Sequence, residues 1–227
     1  MSQPRRTQAE RSAQMRKRLL EATLSCLASE GYAGSTVSKI VERAQVSRGA
    51  PVHHYPSKAA LIEAAAEFMI HRIYAELGRV VLSLPASPHH LEDIILGCWR
   101  SVFGKQENAA MLELMLASRH DEELALMMRR LWTVGYDTLK LATQHYFEPL
   151  QEDAQPLQLM TLTQWLLRGM SLDLHLVHDT AIFEHFIKLW VRLLATQMRP
   201  RQDIQGPPPR PAFWDTPLRE IDVQRRR

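Results

Sequence analysis

The fragment Ser47-Arg48-Gly49-Ala50-Pro51-Val52-His53-His54-Tyr55 places cationic and imidazole side chains at helical spacing. A short helix capped by Ser47 exposes Arg48, Ala50, His53 and His54 on one face. The Arg48, His53 and His54 side chains can hydrogen-bond to base edges, and a helix of this size fits the DNA major groove. Capping also turns the positive helix end outward, where a phosphate can lie. Arg48 admits two roles: a bidentate contact to guanine, or a plain phosphate contact.

A second constellation is weaker. His175 and His178 lie at i, i+3 in the fragment DLHLVHD, flanked by Asp173 and Asp179. Two imidazoles and two carboxylates could hold a metal, but helical His pairs near apolar surfaces are usually structural, so no metal and no cofactor is assigned. The sequence holds no Gly-rich phosphate loop, no GxSxG and no HExxH. Glu113 and Asp121-Glu122-Glu123 read as solvated helix faces. Catalysis is therefore not expected.

The reading face needs elements to hold it. Met15, Leu19, Ala22 and Cys26 form one apolar stripe, and Leu20, Leu24 and Leu27 an adjacent one. They predict a first helix of roughly 12–30, ended by Gly31. Thr36 can cap a short second helix, 37–44, and Gln45-Val46-Ser47 makes the turn to the third, 48–55. Ile40, Val41, Ala44 and Val46 must hold this helix-turn-helix pair against the first helix. Pro56-Ser57 opens a long fourth helix, from Lys58 to about Leu82. Further helices are expected near 88–104, 108–118, 121–147, 156–178 and 180–198. No segment alternates as a strand does, so the fold is expected to be all-α, with about nine helices.

From Pro200 the composition turns Pro-rich and predicts a flexible tail that could dock through Phe213 and Trp214. The divisions expected are a basic arm (1–11), a helix-turn-helix domain (12–58), a larger helical domain (59–199) and the tail (200–227).

Charge supports that division. Residues 1–58 carry ten Lys or Arg against four Asp or Glu, whereas residues 59–199 carry twelve against seventeen. A basic front on an acidic body suits a polyanionic partner; a solvated arm is the alternative. With 45% hydrophobic residues, most of the chain is too apolar to be disordered. Its apolar runs are too short for a membrane span. The front has no apolar leader stretch, and the two thiols, Cys26 and Cys98, make no disulfide framework. A cytoplasmic protein is expected.

The string Thr36 to Leu61, TVSKIVERAQVSRGAPVHHYPSKAAL, resembles the DNA-binding segment of the tetracycline-repressor (TetR) family of regulators. The matching residues are Gly31-Tyr32, Ser35-Thr36-Val37, Ile40, Ala44, Val46-Ser47-Arg48-Gly49, Tyr55-Pro56-Ser57-Lys58 and Leu61, without a gap. The resemblance covers about residues 12–65. Three positions depart from it. Gln45 stands where the family usually has Gly, at a cost of about 1 kcal/mol if the residue is left-handed. Val52 replaces a frequent aromatic. Pro51 removes a helical hydrogen bond, so the third helix should start loosely or late.

The resemblance implies a transcriptional repressor that binds operator DNA as a homodimer and is released by a small-molecule effector. Thr36 and Lys58 would bind phosphates. Arg48, Ala50, Val52 and His53 would face bases from a helix capped by Ser47, and His54 and Tyr55 would reach toward the backbone. Tyr55 also reads as core, packed under the first helix. The arm Arg5, Arg6, Arg11, Arg16, Lys17 and Arg18 could enter the minor groove.

Family members enclose a ligand in the larger helical domain. The candidate lining here is Trp99, Phe103, Met111, Met115, Met128, Trp132, Tyr136 and Trp165, with polar handles at His120, Gln164, Arg168 and His175. Arg168 would meet an acid, or else form an interhelical salt bridge. The last two helices, about 156–198, show apolar faces wide enough for burial on two sides, and would form the dimer. The alternatives are a helical interaction protein that kept the front element without reading DNA, and an enzyme with an appended DNA-binding module.

Overall fold

A computed structural model describes residues 7–222 apart from 48, 50, 52, 53, 85, 86, 88, 203 and 205. Among them eight α-helices follow in order: α1 (Gln8–Gly34), α2 (Val37–Ala44), α3 (Lys58–Ser83), α4 (His90–Cys98), α5 (Gln106–Ala117), α6 (Glu122–Tyr146), α7 (Pro156–Ser171) and α8 (Ala181–Leu194). A π-helical turn, Trp99–Phe103, continues α4. The expected all-α class holds. The one sheet among the described residues is a small antiparallel pair, β1 (Phe147–Pro149) with β2 (Met198–Pro200), which the sequence reading did not foresee. No described helix is long and apolar enough to cross a membrane.

Local chemistry sets the ends of the front helices. Thr7 and Glu10 form a reciprocal capping box, so α1 begins at Gln8, four residues before the expected start. Gly31, at φ 70°, breaks the helical path where its end was expected. An added Cβ there would lie 3.0 Å from Glu113 Oε2 on α5, so the bare backbone also admits a neighbouring helix. Thr36 caps α2 and Ser57 caps α3, each accepting from the backbone N–H three residues on.

The two stripes of α1 serve two cores. Leu19 and Cys26 pack with Ile40, Ala44 and Leu61 at the front. Leu24 and Leu27 join Ile62, Met69, Met111, Leu114 and Leu131 at the junction of front and body. A third core, with Ile94, Ile95, Ile187 and Leu194, fills the far end. The long helix α3 contributes to all three.

One expectation fails here. The helix expected over 156–178 stops at Ser171. The Ser171 hydroxyl donates to the Arg168 carbonyl at 2.6 Å and accepts from buried Asn108 at 2.7 Å. The chain then turns through three-residue bonds, Leu172 to Gly169 and Asp173 to Met170.

The described residues of the tail dock on the body, through Phe213 and Trp214 among others. They run back along α3, where the Tyr74 hydroxyl donates to the Pro208 carbonyl at 2.8 Å. Trp214 stacks on His71, with ring centroids 4.2 Å apart. The Leu218 N–H donates to the Glu67 carboxylate, and Leu218 and Ile221 are each only 2% exposed, inside the junction core. Sparse apolar residues among prolines suffice to dock the segment, because α3 and α6 offer an apolar groove beneath them.

Candidate nucleic-acid interface and ligand cleft

Ile40, Val41 and Ala44 are buried, so the apolar side of α2 lies inward as its spacing requires. Gln45 then takes the left-handed conformation, φ 52° and ψ 50°, at the turn where a glycine is the usual residue of the segment it resembles. The turn is held from outside: Arg18 Nη2 donates to the carbonyls of Ala44 at 2.5 Å and Gln45 at 2.7 Å. Arg18 was expected to join an arm for the minor groove. It instead satisfies carbonyls left open at the end of α2. Gln45→Gly is expected to raise stability by a few tenths to about 1 kcal/mol, since glycine is unstrained there but more disordered when unfolded. Urea denaturation of the two proteins measures this, and a lower midpoint for the variant would contradict the strain.

Beyond the turn, Ser47 is exposed. The base-facing candidates Arg48, Ala50, Val52 and His53 lie outside the described residues. Pro51 is buried and helical, and the Tyr55 N–H donates to its carbonyl at 2.7 Å. Proline is tolerated in a first helical turn, where its missing N–H has no partner to lose. His54 is half-buried beside Tyr55, with ring centroids 6.3 Å apart. Tyr55 packs against the front core, and burial raises its phenol pKa.

Thr36 is exposed at the tip of α2, its hydroxyl accepting from the Lys39 N–H at 3.3 Å. Lys58 is drawn inward: its ammonium donates to the Tyr32 carbonyl at 3.0 Å and sits 4.7 Å from that ring's centre. Tyr32 in turn donates to Asp121, the N-cap of α6, at 3.1 Å. One polar chain thus ties the start of α3 to the end of α1 and the head of α6.

Burial and the Asp121 bond push the Tyr32 phenol up to about 12. Burial takes the Tyr146 phenol and the Cys98 thiol to about 12 as well. All three are favoured neutral in the folded chain. Their stabilisation is complete below about pH 9 and is lost as pH rises toward about 12. Urea midpoints should therefore fall between about pH 8 and about pH 11, and less so in Tyr32→Phe.

Behind this junction, α3, α5, α6 and α7 enclose a cleft of about 480 Å³. Its wall includes the expected Met111, Met115, Met128, Trp132, Tyr136, Gln164 and Arg168. A deeper pocket of about 100 Å³ shares Ile70, Met111, Gln164 and Arg168 with it and reaches Phe103. Ile70, Asn108, Met160 and Thr163 were not foreseen, because an apolar or small polar residue on a buried helix face carries no mark that separates cavity wall from core.

Four expected cleft residues stand elsewhere. Trp99 packs on Phe183 in the far core. Trp165 lies outside the wall, stacked on Trp132 at 6.3 Å. His175 is exposed beyond the end of α7, as are His178, Asp173 and Asp179. His120 is exposed too. No cluster of three or more His, Cys, Asp or Glu among the described residues could hold a metal.

The same front segment is found in known proteins. Residues 19–65 match the family of bacterial regulatory proteins called tetR. The front segment is thus similar to the DNA-binding segment of the TetR family. It is 42% identical over 73 residues to the HTH-type transcriptional regulator CymR of Pseudomonas putida, covering 32% of this chain and 36% of that one. An uncharacterized HTH-type transcriptional regulator of Mycobacterium bovis is 32% identical over 119 residues, 52% of this chain and 60% of the relative. The chain thus spans between about a third and three fifths of these curated relatives. A TetR-family regulator from Rhodococcus shares the fold at a TM-score of 0.59 with 20% identity, over 79% of this chain and 97% of its own. So does a regulator from Saccharomonospora viridis solved with choline, at a TM-score of 0.60 and 14% identity, over 82% of this chain and 99% of its own.

Proposed function

We propose that the chain is a DNA-binding transcriptional regulator, not an enzyme. It acts in the cytoplasm as a homodimer whose hold on a palindromic operator is loosened by a small molecule in the cleft. The observation that carries the reading is the front unit: a matched TetR segment whose apolar residues are buried and whose turn is clamped, leaving Thr36 and Ser47 at the surface. Arg48, Ala50, Val52 and His53 would meet base edges, and Thr36, His54, Tyr55 and Lys58 would line the phosphate side. Lys58 would have to share its ammonium with the Tyr32 carbonyl, which three donors allow.

The dimer reading rests on apolar faces that no described residue of the protomer covers. On α8, Ile182, Phe186, Leu189 and Leu193 form an exposed stripe at i, i+4, i+7 and i+11, opposite the buried Phe183, Ile187, Val191 and Leu194. On α7, Leu162, Trp165 and Leu166 are also exposed, and nothing lies within 4 Å of an added Cβ on Gly169. Large contiguous apolar surface of this kind marks an interface. A two-fold pairing would put two copies of the reading helix on successive major-groove turns. The small-molecule reading draws on the cleft and on the related fold that holds choline.

A gel-shift titration with the intergenic DNA beside the gene tests the central claim. Binding should fall by about 10³-fold or more between about 50 and 200 mM salt if several phosphates are contacted. No shifted band at low salt would overturn it. Arg48→Ala is expected to cost about 1–3 kcal/mol of operator binding while non-specific binding changes little, if the side chain reads a base. An equal loss on both DNAs would assign Arg48 to a phosphate.

A further inference from the structure

Taking the cleft as the ligand site proposed above, the geometry points to its chemical class. Arg168 is mostly buried on α7 and borders both the cleft and the deeper pocket. Its Nε is sealed from solvent without a hydrogen-bond partner. Among the described residues no carboxylate forms a salt bridge with it, although exposed arginines such as Arg79 and Arg100 each have one. The described residues that line both cavities include no Asp or Glu, and a second guanidinium, Arg129, stands at the exposed edge.

A buried guanidinium without a counter-charge lowers stability, and a hydrocarbon side chain of similar size would pack there at less cost. Desolvation accordingly pulls the Arg168 pKa below its ordinary value. Most of the remaining wall is thioether, aromatic and aliphatic, with Met111, Met115, Met128, Trp132 and Ile70, beside the uncharged polar Ser118, Thr133 and Gln164. Such a wall takes an apolar body of varied shape. One buried fork and one apolar chamber suit a ligand with one negative charge and a hydrocarbon remainder.

We infer that the cleft binds an apolar monocarboxylic acid, its carboxylate paired with the Arg168 guanidinium and its hydrocarbon part among the methionines and Trp132. A carboxylate matches the guanidinium fork through two parallel hydrogen bonds. A neutral ligand of the same shape leaves the guanidinium uncompensated, and a cation is repelled by Arg129 and Arg168 together. A phosphate monoester carries about −1.5 to −2 charges near neutral pH, more than one buried guanidinium offsets.

The test uses the full chain without DNA and reads tryptophan fluorescence, since Trp132 lines the cleft and Trp165 stacks on it. The probes are 3-phenylpropanoate, 3-phenylpropanamide and 3-phenylpropylammonium, with benzoate and octanoate as further acids. At least one acid should bind, and 3-phenylpropanoate more tightly than its amide and its ammonium analogue. Arg168→Gln should weaken the acids by at least about 30-fold and abolish the preference over the amide. Arg168→Lys should retain part of it, because the charge remains but the fork does not.

The ligand-free Arg168→Gln protein should melt no lower than the parent, because it loses an uncompensated charge. Equal affinity for acid and amide, undiminished acid binding by Arg168→Gln, or no binding by any of the acids would overturn the inference. A destabilised Arg168→Gln protein that binds no acid less well than the parent would assign the residue a structural role and overturn it likewise. A gel shift with the acid present is read separately. If the acid binds through Arg168 while the DNA complex persists, the ligand class stands and the release mechanism falls.

Discussion

Leu193→Glu is expected to leave the protomer folded and to abolish operator binding. Leu193 is 57% exposed at the end of the apolar stripe on α8, so a carboxylate there disturbs no packing within the protomer. In a two-fold dimer the same residue enters the interface twice, and each copy would bury an unpaired charge. That penalty is several kcal/mol per ion even after relaxation, enough to raise the dimer dissociation constant by about 10³-fold or more. A protomer alone reaches one half-site and loses about half the phosphate contacts, so operator affinity should fall with the dimer. Sedimentation velocity and a gel shift on the same sample measure both. A variant that still sediments as a dimer and binds operator would remove α8 from the interface.

Leu218→Ala together with Ile221→Ala is expected to cost most of the folding free energy. Each side chain is 2% exposed in the junction core, beside Leu24, Leu27 and Met127. Large-to-small changes at such positions cost about 2–5 kcal/mol apiece, against a total near 5–15 kcal/mol for an ordinary domain. Thermal melts of parent and double variant decide it, and limited proteolysis should cut the variant first between residues 206 and 222. An unchanged melting temperature would mean that the segment contributes nothing to the core.

The contrast between this tail and the front unit marks what the sequence made visible. Caps at Thr36 and Ser57 and the break at Gly31 depend on residues one to four positions apart, so spacing alone revealed them. The left-handed Gln45 was foreseeable because the surrounding string fixed a turn at that position. The docking of Leu218 against Glu67 joins residues 151 apart, and the Arg18 clamp joins residues 26 and 27 apart. No periodicity encodes such pairings.

Basic residues are ambiguous for a related reason. A cation on a basic surface looks the same in sequence whether it will hold a phosphate or a carbonyl, and Arg18 and Lys58 hold carbonyls. The methionines and Trp132 on the cleft wall were named because the resemblance implied an enclosed ligand; their spacing alone does not separate a cavity wall from a core. Trp99 and His175 fell away because face and helix length, rather than residue type, decide which side chains reach a cavity.

The length of α3 has a mechanical corollary. Its 26 residues make an unbroken rod about 39 Å long, with Lys58 at one end and Ile70, a wall residue of the cleft, along its shaft. A rod pivoting at its far end multiplies displacement with distance: a tilt of about 5° would carry Lys58 through about 3 Å. That is close to the spacing of adjacent base pairs, about 3.4 Å. A change at the cleft wall smaller than a methyl group would therefore suffice to move the two reading heads of a dimer out of step with the helical repeat of DNA.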